Sequence, residues 1–422
     1  MIQCIGRRDF LGRSVAVVGG AVALRGGLGL AGALAPRTAR AAGGPRTLVL
    51  LRLYGGNDGL NTVIPYGAGT YFDRRPTLRI PAAQVLPLNG TVGLHPRMAS
   101  LKAHFDAGRL AVIQSVGYPN PNLSHFRSEV IWQSADPVGI TPTGWVGRWL
   151  DAAFPAGDES VRAVDVSYYL QHVLLSDHAN VFAFPNLDRI GFPTDYAYGG
   201  DVGIKRSTFE AASQAARAAG SPAEALARGG FVLSRNVDLY SNVPDGVVTT
   251  FPDTRLGDGF RTVARMIQST RNGDTAAAVF QVGIDGFDTH AEQASEGGHA
   301  DLWGDIDASL AAFHQELTAM GAADDVLVLV YSEFGRRVEE NGSRGTDHGT
   351  AAPMFAFGNP VTGGIYGPDP DLQGLDGDDN LVHEVDFREV YATIIERWLG
   401  GDPSVVLNGS FTAIPFLPVL AS

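Results

Sequence analysis

Blocks of leucine and valine bounded by glycine set the rhythm of this chain. The first, TLVLLRLYGG (47–56), is apolar at almost every position, as in a strand buried on both faces of a parallel sheet. Three more blocks share its character: GRLAVIQSV (108–116), AAAVFQVGID (276–285) and DVLVLVYSEFG (325–335). Between them the apolar positions recur at helical spacing, in HPRMASLKAHFDAG (95–108), SHFRSEVIWQSA (124–135), TRLGDGFRTVARMIQST (254–270) and LWGDIDASLAAFHQELTAMG (302–321). The tail LVHEVDFREVYATIIERWLG (381–400) reads as an amphipathic helix stopped by Gly400 and Gly401, and APMFAFG (352–358) fits a further strand. Strand–helix alternation predicts an α/β fold, a mostly parallel central sheet with helices on both faces. The stretch from approximately 137 to 257 is less regular and is expected as a cap-like insertion on the same domain.

In such sheets ligands sit beyond the carboxyl ends of the strands, so the polar residues there carry the interest. The first strand runs into YGGNDGLN, placing Asn57 and Asp58 on a turn that is either an ordinary Asn-Asp-Gly turn or a loop for close approach to a ligand. The second leads to YPNPNLSHFRSE. There Ser124 or Asn122 caps a helix whose free N–H groups also suit an anion, and Arg127 offers it a two-pronged contact. The third ends in GIDGFDTHAEQ, where Asp285, Asp288 and His290 form either an Asx turn or a ligand set for a divalent cation. The fourth delivers Glu333, and its loop ends on Asp347 and His348. The middle of that loop, including Arg336, Arg337, Glu339 and Glu340, reads as a solvated excursion. His95 and His172 are possible outer members.

Composition narrows the chemistry. The N-terminal GRRDFLGRS resembles a twin-arginine export signal, and the small residues through Ala39 and Ala41 resemble a cleavage site, giving a signal peptide over 1–41 and one domain over 42–422. The leader's apolar run is about 11 residues, short of the roughly 20 that span a bilayer, and no other segment is long and apolar enough, so no transmembrane segment is expected in the mature protein. The leader carries six arginines and one aspartate, so removing its +5 from the whole-chain −13 leaves −18. That balance argues against nucleic acid as a partner. The single cysteine, Cys4, lies in the leader, so any metal must be held by His, Asp, Glu or Asn.

Four blocks together, LRLYGGNDGLNTVIPY, SHFRSEVIWQSA, GFDTHAEQ and SEFGRRVEENGSRGTDHGTAAPMFAFG, resemble the exported family DUF1501. That family is in turn similar to the alkaline phosphatase and sulfatase superfamily. The resemblance implies an alkaline phosphatase-like three-layer sandwich with a divalent metal ion (Zn, Mg, Ca or Mn), a small-molecule or glycan anionic ester as substrate, and export by the twin-arginine translocase to the periplasm or the exterior. It implies Asp58 and Glu333 at one metal centre, and Asp285 or Asp288 with His290 and His348 at another. Ser124 or His125 falls at the nucleophile position, with Arg127 on the anion. Phe334 stands where the superfamily keeps a second histidine. Two functions follow: a metal-dependent hydrolase of phosphate or sulfate esters, or a non-catalytic binding or assembly protein that retains the fold. A serine-hydrolase triad is disfavoured, because no G-x-S-x-G elbow precedes a helix.

Overall fold

The computed structural model describes residues 45–191, 202–215 and 221–420; the leader with its arginine pair lies outside the described residues. Nine strands make the main sheet: β1 (Thr47–Leu53), β2 (Leu110–Gly117), β3 (Val161–Asp165), β4 (Asn180–Ala183), β5 (Val279–Ile284), β6 (Val326–Ser332), β7 (Ala352–Phe357), β8 (Gly364–Tyr366) and β9 (Val385–Asp386). The order is β8-β2-β7-β6-β1-β5-β3-β4, with β9 also paired to β2. Only β7 runs antiparallel to its neighbours; the other pairings are parallel. The four apolar blocks are therefore β1, β2, β5 and β6. The stretch 137–257 supplies β3 and β4 to one edge of this sheet, as well as the helices Val202–Gln214 and Pro222–Ser241.

Side chains alternate across a strand, so the continuous apolar run of β1 feeds two cores. Val49, Leu51 and Leu53 pack on one face with Phe260, Val263, Trp303 and Leu310, which come from α3 (Arg255–Asn272) and α4 (His299–Ala319). Leu48 and Leu50 pack on the other with Trp132, Trp145 and Tyr391, from α1 (His125–Ser134), α2 (Trp145–Ala153) and α5 (Phe387–Arg397). The result is a three-layer α/β/α sandwich. Local signals agree with it: the Thr254 side chain caps α3, Gly273 ends it at φ 85°, and Asp386 with Glu389 forms a capping box on α5. Among the described residues no helix is long and apolar enough to cross a membrane.

Register fixes where chemistry can gather. Leu53 lies level with both Ile284 and Ser332, so β1, β5 and β6 end together and their following loops share one rim. The antiparallel β7 starts from the same rim, which brings the loop after β6 back to its origin. Gly55 and Gly56, at φ 121° and 79°, let the loop after β1 pass under the others. A Cβ on Gly56 would lie 2.3 Å from the Phe334 ring, so Gly56→Ala meets a clash as well as a left-handed backbone. That backbone conformation alone costs about 1–3 kcal/mol in a residue with a side chain. The unfolding free energy of Gly56→Ala, read from denaturant titration, is accordingly expected to fall by at least that much.

Candidate metal centre

The loop after β6 folds on itself as a narrow ladder. Gly349 N donates to the Gly335 carbonyl at 2.9 Å, Arg337 N donates to the Asp347 carbonyl at 3.0 Å, and Arg336 forms an antiparallel bridge with His348. This return sets Asp347 and His348 beside Glu333. The loop after β5 is stitched to it: Thr346 N donates to Thr289 O at 3.0 Å and Gln293 N to Arg344 O at 3.0 Å. A Cβ on Gly345 would lie 2.3 Å from the His290 carbonyl carbon, so only glycine permits that approach. These contacts bring His290 onto His348, while α1 brings His125 from the far side of the loop.

Three imidazoles meet there, each anchored through Nδ1. His125 Nδ1 is 2.8 Å from Glu333 Oε1, His290 Nδ1 is 3.1 Å from Asp347 Oδ1, and His348 Nδ1 is 2.8 Å from the Leu123 carbonyl. Carbonyl and carboxylate oxygens only accept, so these partners assign the proton to Nδ1 and leave each Nε2 with a lone pair. The three Nε2 atoms turn toward one oxygen, Asp288 Oδ1, at 3.5, 3.2 and 3.3 Å for His125, His290 and His348. His290 Nε2 and His348 Nε2 are 2.9 Å apart, and His125 Nε2 is buried without a hydrogen-bond partner. Two facing lone pairs repel unless a positive charge stands between them. Ligands bound tetrahedrally at about 2.0–2.1 Å stand roughly 3.3 Å from each other, and the separations of Asp288 Oδ1 from the three nitrogens, 3.2 to 3.5 Å, match that spacing. The donor set thus fits a divalent cation, and His125, Asp288 and His348 each offer an atom within 4.8 Å of the others.

The surroundings tune these groups. The hydrogen bond that His125 donates to Glu333 raises the pKa of His125 above its ordinary value, despite burial. Burial lowers that of His348, keeping its ring neutral. For Asp288 burial works against the charge, but the hydrogen bond and charge of Arg336 outweigh it and hold the carboxyl below its usual range. Phe334 forms an apolar floor, its ring 4.8 Å from His125 and 4.6 Å from His348. Carboxylate–histidine pairs of this kind orient metal ligands, and their loss costs about 10- to 100-fold in metal affinity. Glu333→Gln is expected to weaken divalent-ion binding within that range, as read by titration against a chelator.

Not every residue expected from sequence reaches this cluster. Glu333 is a support for a ligand rather than a ligand: besides His125, its Oε1 accepts from Gly55 N at 2.8 Å, and its Oε2 accepts from Ser332 Oγ at 3.1 Å. Asp58 is fully buried, with Oδ2 held by Arg75 Nη1 at 2.6 Å and by Gln293 at 2.5 Å. An internal guanidinium thus takes the place of the metal expected at Asp58. Asp285 points away to solvent, 3.8 Å from Arg255. Arg127 spends its guanidinium on the carbonyls of Pro137 and Gly139, at 3.3 and 2.7 Å, so it ties down a loop instead of facing an anion. His125 joins the imidazole cluster, and Ser124 stands exposed at the N-cap of α1 with no side-chain cap bond. The loop middle is also corrected. Arg336 is 1% exposed, and Glu340 accepts from the Thr77 and Leu78 backbone N–H groups.

Comparison with known proteins adds fold likeness and a family match. A sulfatase from Pseudoalteromonas sp. is similar at 14% identity over 89% of this chain and 72% of its own, with a TM-score of 0.38. An alkaline phosphatase superfamily protein from Vibrio parahaemolyticus is similar at 8% identity over 88% and 71%, with a TM-score of 0.33. Alkaline phosphatase from the Antarctic bacterium TAB5 is similar at 12% identity over 76% and 95%, with a TM-score of 0.28. At those TM-scores the likenesses carry no argument about chemistry. No curated protein matches the sequence. A family model does match, over residues 208–406, a span that holds β5, β6 and β7 with Asp288, His290 and His348 but stops short of His125. Over those residues the chain is similar to DUF1501, a family described as a protein of unknown function.

Proposed function

We propose that this protein is an exported, metal-dependent hydrolase of phosphate or sulfate esters. The observation that carries the reading is the convergence of His125, His290 and His348 Nε2 on Asp288 Oδ1, each ring fixed from behind. Three imidazoles and one carboxylate suit an ion of the zinc class better than calcium or magnesium, which favour all-oxygen shells. The bound ion would polarise an ester oxygen and lower the pKa of a bound water or hydroxyl. Around it, the chain contributes orientation. Glu333, Asp347 and the Leu123 carbonyl hold the three rings. The first-turn N–H groups of α1 face an anionic oxygen, and Ser124 is the proposed nucleophile. Phe334 excludes water from beneath the rings.

A second reading, a non-catalytic binding protein that keeps this fold, is favoured by one observation. Arg127, the cation expected to hold the anion, is committed to backbone carbonyls. Aryl phosphate and aryl sulfate turnover by the purified, metal-loaded chain separates the two. The hydrolase reading expects turnover that Ser124→Ala removes while the ion stays bound. A bound ion without turnover of either ester selects the binding reading.

A further inference from the structure

We propose that Arg336 sets the charge of the metal centre: it neutralises Asp288 from behind, so that a bound cation keeps enough positive charge to select an anionic ligand. The inference rests on the metal-binding reading above and concerns a residue that the charged neighbours Arg337, Glu339 and Glu340 disguise in the sequence.

The guanidinium of Arg336 is wholly buried and cannot give up its proton. Its donors reach four backbone carbonyls: Gly56 at 2.8 Å, Thr346 at 2.7 Å, Phe287 at 3.1 Å, and Gly55. Those carbonyls belong to the loops after β1, β5 and β6, so one side chain clasps all three. Carbonyls satisfy its hydrogens but not its charge. A buried charge needs an opposite one, and the carboxylate in reach is Asp288, whose Oδ1 accepts from Nη2 at 2.7 Å. That same oxygen is the one the three Nε2 atoms face. A cation seated among the imidazoles therefore meets three neutral nitrogens and an oxygen whose negative charge is already matched. The centre then keeps more of the ion's own charge than an unpaired carboxylate at Asp288 would leave it. A site of this kind holds its metal less tightly than an unpaired carboxylate would allow, and attracts phosphate or sulfate more strongly.

The two consequences have opposite signs, which a purely structural role for Arg336 does not produce. Co²⁺ affinity is measured through the visible absorption of the bound ion, and inorganic phosphate is then titrated into the Co²⁺-loaded protein. Arg336→Gln releases the charge of Asp288. It is expected to tighten Co²⁺ about tenfold or more and weaken phosphate by a similar factor. Asp288→Asn leaves Arg336 unmatched and reverses both signs, and the double variant returns both constants to within about threefold of the parent. If Arg336 serves only as a clasp, Arg336→Gln weakens both ligands, and the proposal fails. If Arg336→Gln does not fold by circular dichroism, Asp288→Asn decides alone: phosphate binding unchanged or weaker at saturating Co²⁺ overturns the proposal. A parent protein that takes up no Co²⁺ overturns the metal reading itself, an outcome distinct from either.

Discussion

Replacing His348 by alanine is expected to lower divalent-ion affinity by well over the 10- to 100-fold that loss of an orienting partner costs, leaving the fold intact. The ring lies at the middle of the cluster, 4.5 Å from His125 and 4.6 Å from His290 between centroids, and its Nε2 is the near neighbour of both His290 Nε2 and Asp288 Oδ1. Removing it takes away the ligand whose ring neighbours both of the others. The strands do not depend on it, since its one anchoring bond is to the Leu123 carbonyl in a loop. Without an ion the variant is expected to unfold close to the parent's midpoint, because the facing lone pairs are relieved. With saturating metal only the parent should gain stability, by the mass-action rule that ligands binding the folded state raise its midpoint. Thermal unfolding with and without Zn²⁺ reads both results. Equal metal-induced shifts in parent and variant would count against the assignment.

Arg75→Ala is expected to destabilise the protein by about 3–5 kcal/mol, an effect larger than any on metal affinity. The Arg75–Asp58 pair has both side chains at 0% exposure and an N–O distance of 2.6 Å. Burial pushes the Asp58 carboxyl up, but the charge and hydrogen bond of Arg75 win and hold it below its ordinary range. Losing the guanidinium leaves an ion in the core with Gln293 as its remaining side-chain partner, and Asp58 Oδ1 already lacks a hydrogen bond. Arg75 also donates to the carbonyls of Arg337 and Val338, so it pins the metal loop to the turn after β1. Asp58→Asn in the same background should recover part of the loss, since the uncompensated charge is then gone. A folded Arg75→Ala chain of near-parent stability but weakened metal binding would return Asp58 to the centre.

What the sequence disclosed follows from range. The apolar runs of β1, β2, β5 and β6 declare themselves because a strand buried on both faces must be apolar at every position. The strand VRAVD of β3 is short and carries Arg162, so nothing local separates it from a loop; it is held by pairing with β5 and β4. The rim was legible too, since polar residues at parallel strand ends converge by topology. On that ground the sequence puts Asp285 or Asp288 with His290 and His348, and the structure brings Asp288, His290 and His348 together. What a linear reading misses is who neutralises whom. Asp58 looks like a metal ligand until Arg75, 17 residues on, is seen to fill its place. Arg336 sits among charged residues in the sequence, of which Glu339 is exposed, and only the return of the ladder buries it. Whether Ser124 or His125 faces the rim depends on the phase of α1, which an irregular loop before the helix leaves open.

The central claim is that three imidazoles and Asp288 hold one divalent cation. Crystals of the leader-free protein grown with Zn²⁺, measured on both sides of the zinc absorption edge, test it most directly. The structure predicts an anomalous peak roughly 2.0–2.2 Å from His125, His290 and His348 Nε2 and from Asp288 Oδ1. A peak elsewhere, or none at this cluster in a crystal that holds zinc at other positions, would contradict it.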